Sequence, residues 1–103
     1  MHFSLTEEGY LKNKNDWNKN FSILAAEAEN IMLSPEHWQI IHFFQHFYEA
    51  HHLTPSMRIL IKYLRTEWPA EKANSAYVQG LFPKSVMLQA SLLAGLPKPS
   101  HCL

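Results

Sequence analysis

At 103 residues and 12.0 kDa, the chain is the size of one domain, long enough to enclose one core but not two. Its residues are 47% hydrophobic and 13% aromatic, too apolar for a disordered chain, and nine basic side chains balance nine acidic ones, leaving no positive excess for gripping a nucleic-acid backbone. A single cysteine excludes an internal disulfide, and no apolar run approaches the roughly 18 residues of a membrane span.

The opening MHFSLTEEGY has no basic stretch followed by an apolar one, so it does not read as a secretory signal. These features together read as a cytoplasmic protein. Phe3 and Leu5 alternate with polar neighbours, and the Glu8-Gly9 turn signal precedes Tyr10 and Leu11. That pattern predicts a hairpin or meander of short strands within residues 1–17. From Asn18 the period becomes helical, with Phe21, Leu24, Ala25, Ala28 and Met32 on one face.

Ser34-Pro35 offers a capping hydroxyl before a proline in the first helical position. The helix it opens carries a broad stripe of Trp38, Ile41, Phe44, Phe47 and Tyr48, widened by Ile40 and Phe43, as expected of a central helix covered on more than one side. Thr54-Pro55 repeats the start signal for a helix bearing Met57, Ile59, Leu60, Ile61 and Leu64, which Pro69 ends near Trp68. Asn74 can cap a short helix over 75–79 with Gly80 as its stop, and a last helix runs from beyond Pro83 to about Ala94, closed by Gly95. The remainder, Leu96-Pro97-Lys98-Pro99-Ser100-His101-Cys102-Leu103, holds two prolines that favour an extended course. At ~3.1 Å per residue it could carry Cys102 about 20 Å from Gly95.

Three groups of side chains invite a chemical reading. Cys102 is the only thiol, and it is penultimate. A terminus of this kind does not hold a nucleophile to the ~0.5 Å tolerance of a preorganised site, but it can deliver sulfur into another protein's site. His101, its sequence neighbour, is badly placed to complete a cysteine-hydrolase triad. His42 and His46 at i, i+4, with Glu49 one turn on, have the spacing of zinc ligands but lack a second ligand cluster, and a polar helix face opposite the aromatic stripe explains them better. Arg58, Lys62 and Arg65 form a basic stripe, readable first as a solvated face, then as a docking surface for an acidic partner or for the tail's own terminal carboxylate and persulfide, and last as the recognition helix of a helix-turn-helix DNA-binding regulator. His51-His52 at a helix end suits the negative pole of the helix. No glycine-rich phosphate loop and no paired-cysteine motif is present.

The segment Ala94-Gly95-Leu96-Pro97-Lys98-Pro99, running on to Cys102-Leu103, resembles the end of the DsrC/TusE sulfur-carrier family. Glu8-Gly9-Tyr10-Leu11, Leu33-Ser34-Pro35-Glu36-His37-Trp38, Phe47-Tyr48, Pro55 with Arg58, Asn74-Ser75 and Leu81-Phe82-Pro83-Lys84 continue the similarity along nearly the whole chain. The resemblance implies an α+β fold: a small N-terminal antiparallel β element packed on about five helices, with residues 1–95 as the compact domain and 96–103 as a mobile arm. It also implies a role for Cys102, which would accept a sulfane sulfur as a persulfide and pass it on. In the TusE branch the donor is a TusBCD-like complex and the acceptor an MnmA-like tRNA 2-thiouridylase, so tRNA is reached only indirectly. No cofactor, metal or membrane is implied. In the DsrC branch, associated with sulfite reduction, a second cysteine stands eleven residues before the penultimate one; here that position is Ser91, which favours the single-cysteine relay. His42 and Gln45 stand where the family often has arginines, and Ser85-Val86 replaces a segment that commonly contains glycine.

Overall fold

The computed structural model describes residues 3–99. After a 3-10 turn at Lys14–Asp16 come five α-helices: α1 (Lys19–Ala28), α2 (Pro35–His51), α3 (Met57–Glu67), α4 (Ser75–Leu81) and α5 (Val86–Leu93). The described residues contain no strand or sheet, so the expected α+β class, with an antiparallel β element, is corrected to all-α. The N-terminal segment does turn back on itself, but only Leu5 and Leu11 pair, as one isolated antiparallel bridge. Gly9, at φ +91°, lets the loop close tightly, with the Gly9 amide on the Thr6 carbonyl at 2.9 Å and the Thr6 amide on the Tyr10 carbonyl at 2.7 Å. Just beyond Leu11 the Asn13 side chain accepts the Asn15 amide and starts the 3-10 turn. The returning half therefore ends before it can become a strand.

Local chemistry sets the helix limits. Each α-helix begins behind an Asn or Ser whose side chain accepts an amide one turn on: Asn18, Ser34, Ser56, Asn74 and Ser85. In α2 the reciprocal partner is His37, a residue type outside the usual Glu or Gln. Its Nδ1 accepts the Ser34 amide at 3.1 Å, which leaves Nε2 to donate to the Leu81 carbonyl at 2.8 Å. One buried imidazole thus closes the start of α2 and the end of α4. This is why α4 runs through Gly80, the expected stop, to Leu81. Helix α3 starts from Ser56, not from Thr54-Pro55, because Pro55 is buried ahead of the helix.

Helix α1 differs most from its expected face. Phe21, Ser22 and Ala26 are buried, whereas Leu24 is 52% and Met32 90% exposed. The helix stops at Ala28, where Asn30 takes φ +59°, the Ile31 amide reaches the Ala26 carbonyl and the Asn30 amide reaches that of Glu27. Met32 is therefore not on the helix, and the side facing the core is the one that carries Ser22.

The core forms around α5, which packs against α1, α2 and α4. Seven of its eight residues are buried, leaving only Leu88 part-exposed. Around it lie Ile40, Ile41 and Phe44 of α2, Leu60 and Leu64 of α3, and Val78 and Phe82, all fully buried. Trp38, expected in the central stripe, is only half-buried at its edge, between the His42 ring and Lys19. Helix α3 joins α2 through Tyr63 stacked on Phe43, centroids 4.1 Å apart, and through the Trp68 indole donating to Gln39.

Glu36, in the first turn of α2, is tied to α4 by the Tyr77 hydroxyl and to the α3–α4 loop by Lys72 at 2.9 Å. The bond from Tyr77, then that from Lys72, holds the Glu36 carboxyl below its ordinary value of 4.5. A carboxyl lowered on folding stabilises the fold above its unfolded-state value and stops doing so as pH falls through the folded-state one. The stability gap between wild type and Glu36→Gln, followed by urea denaturation, should thus be full at neutral pH and shrink as pH drops below 4.5. A gap of the same size in acid would show that the bonds do not depend on the charge.

Candidate functional site

The thiol singled out in the sequence, Cys102, lies outside the described residues, as does His101. The structure does define what stands immediately before it. Gly95, at φ +74°, ends α5: its amide bonds to the Leu92 carbonyl and the Leu96 amide to that of Ser91. This pairing turns the chain sharply and brings Leu96, 3% exposed, back into the core. A Cβ on Gly95 would stand 2.6 Å from Cδ1 of Trp17, so both backbone sign and space require glycine.

The other carbonyls at this helix end are satisfied by side chains from distant parts of the sequence. The Leu93 carbonyl accepts the Trp17 indole N–H at 2.9 Å and the Ser22 hydroxyl at 2.6 Å, and the Ala94 carbonyl accepts the Gln45 amide at 3.1 Å. The last turn of a helix normally exposes such groups to water. Here the N-terminal loop, α1 and α2 each supply a donor. None of Trp17, Ser22 and Gln45 was singled out for such a role from the sequence. The available signals were the indole of Trp17 at the helix boundary and the family position of Gln45.

Beyond Leu96 the chain stays on the body as far as it is described. The Lys98 ammonium meets Glu8 at 2.7 Å, and Pro99 is buried and lines one cleft with Tyr48, His52, Leu53 and Thr54. The length available to Cys102 is therefore counted from Pro99, not from Gly95. Three residues allow at most about 10 Å between the two backbone positions.

The zinc-spaced trio is not assembled. His42 hydrogen-bonds Gln45 at 3.2 Å and lies against Trp38, Glu49 pairs with Lys14 at 3.6 Å, and His46 is exposed. No cluster of three His, Cys, Asp or Glu side chains able to hold a metal occurs among the described residues. Arg58, Lys62 and Arg65 are all exposed along α3. His52 ends α2 at φ +57°, with His51 packed on Phe47.

Ser91 is fully buried, and its hydroxyl has no hydrogen-bond partner among the described residues. An unpaired buried polar group costs about 1–3 kcal/mol, and removing it leaves only a small void. Ser91→Ala should accordingly melt at or above the wild-type temperature. A clear loss of stability would mean that the hydroxyl is paired.

A family profile described as DsrC like protein matches residues 1–103. The chain is 43% identical over 96 residues to Sulfurtransferase TusE of Escherichia coli (strain K12), covering 93% of this chain and 88% of that protein. Sulfurtransferase TusE of Buchnera aphidicola subsp. Acyrthosiphon pisum is 49% identical over 96 residues, covering 93% and 84%. The fold is similar to the NMR structure of Allochromatium vinosum DsrC, with a TM-score of 0.86 and 42% identity over 98% of this chain and 90% of that one. A family match along the whole sequence, with 43–49% identity to relatives covered over most of their length, establishes that this chain belongs to the DsrC-like protein family.

Proposed function

We propose that this protein is a sulfurtransferase of the relay type, in which Cys102 accepts a sulfane sulfur as a persulfide and hands it to a second protein. The observation that carries this reading is the near-full-length similarity to proteins named Sulfurtransferase TusE, in a sequence whose only thiol is Cys102. The chemistry needs no cofactor. The Cys102 thiolate attacks the outer sulfur of a donor persulfide; a new S–S bond forms on Cys102, the donor's S–S bond breaks, and the donor leaves as its own thiolate. The sulfur moves without net oxidation. An ordinary thiol, with a pKa of about 8.5, is only a few per cent thiolate at neutral pH, so we assign activation of Cys102 to the partner's site.

Residues 96–103 act in this reading as the delivery arm, with Leu96 and Pro99 seated on the body and Cys102 within about 10 Å of Pro99. The donor is a TusBCD-like complex and the acceptor an MnmA-like tRNA 2-thiouridylase, so tRNA is modified at its wobble uridine without touching this chain. The relay operates in the cytoplasm, in keeping with the absence, among the described residues, of any helix long and apolar enough to cross a membrane. Ser91 cannot form the disulfide of the two-cysteine branch, which supports the single-thiol relay over a sulfite-reductase-associated role.

Intact mass after incubation with a small-molecule persulfide donor tests the reading. The wild type should gain one sulfur and Cys102→Ser none, with unfolding midpoints that agree to within ~0.5 kcal/mol. A wild-type mass that never changes would contradict it.

A further inference from the structure

Helix α3 carries a surface that the relay chemistry does not use. Arg58, Lys62 and Arg65 project from it on the side opposite the buried Leu60 and Leu64, in a ridge about 10 Å long. All three are exposed, and none has an ion-pair partner among the described residues. Glu67, the acid on the same helix, is engaged by Gln39 and Thr66. In a chain whose charges sum to zero, this is an uncompensated positive strip. Apolar surface flanks it, with Leu53 56% and Ile59 37% exposed.

The start of α3 stands close to the C-terminal segment: Pro99 lines one cleft with Leu53 and Thr54, and Ser56, the N-cap of α3, follows two residues after Thr54. We propose that the α3 ridge is the docking surface for an acidic face of the protein that exchanges sulfur with Cys102, an inference that rests on the relay reading above. Complementary charge at this position would steer the partner toward the end of the molecule from which the thiol is presented, raising the rate of encounter more than the final affinity. A protein fits the surface better than a nucleic acid does. Three cations with two apolar neighbours make a mixed patch, and the aromatic rings on α3 and at its C-cap that could stack bases are engaged, Tyr63 on Phe43 and Trp68 by Gln39 and the Tyr77 ring.

The test offers the full chain, loaded with sulfur, two cysteine peptides that differ only in their flanks, glutamate-rich in one and glutamine-rich in the other. At low salt, transfer to the acidic peptide should run about tenfold faster than to the neutral one, and the difference should fade as salt rises. The combined variant R58E, K62E and R65E should erase the difference while loading from a small-molecule donor keeps its wild-type rate; if that variant folds poorly, R58Q, K62Q and R65Q should give the same result. Fluorescence anisotropy with a labelled acidic peptide lacking cysteine reads the ridge without any sulfur. A chain that binds this peptide through the three residues but never loads sulfur keeps the ridge and refutes the relay. A chain that loads sulfur yet treats both peptides alike refutes the ridge. A labelled single-stranded RNA held more tightly than the acidic peptide, through the same three residues, would overturn the proposal in favour of a nucleic-acid partner.

Discussion

Burial of α5 governs the rest of the molecule. A helix with seven of its eight residues buried can only be a central one, and once it is enclosed its terminal carbonyls lose access to water. The cost of leaving them unpaired is comparable to a lost hydrogen bond for each group. Trp17, Ser22 and Gln45, together with the turn at Gly95, meet that demand, and in doing so they fix the relative positions of the N-terminal loop, α1 and α2. The part of the structure that terminates the core helix is also the part from which the C-terminal segment departs.

This coupling bears on sulfur delivery. A carrier must offer its thiol to more than one partner, yet each extra degree of freedom raises the ordering cost on docking. The chain is held through Leu96, Lys98 and Pro99, which leaves two residues between the last described position and Cys102. Such a short span trades reach for a higher effective concentration of sulfur close to the body. In the proposed relay the partner must then approach the body closely, and the α3 ridge is the surface we propose for its recognition.

Sequence reading succeeded where the signal is local and failed where it is tertiary. Ser34-Pro35 and Asn74 mark helix starts because capping depends on a hydroxyl or carboxamide beside its own amides. Gly95 is identifiable as a stop because a left-handed residue there favours glycine. The N-terminal alternation of Phe3 and Leu5, with Tyr10 and Leu11 after the turn, misled, since a period of two also describes a tight loop with a single bridge and no third strand to extend it. Gly80 misled for a different reason: the end of α4 is set by His37, more than forty residues earlier. At the arm the family motif points to Cys102, but the burial of Pro99 has no local signature, so the sequence alone counts the arm from Gly95.

The central claim is that the arm root is fixed by the fit of Gly95 beneath Trp17 at the closed end of α5. Guanidinium denaturation of Gly95→Ala tests it most directly, because the substitution adds one methyl group and changes no charge. The added Cβ meets Trp17 at 2.6 Å in a backbone conformation that disfavours any side chain, so the variant should lose about 2 kcal/mol or more. A midpoint and slope indistinguishable from wild type would show that the root is free to move, and the account of a fixed base with a short reach would fail.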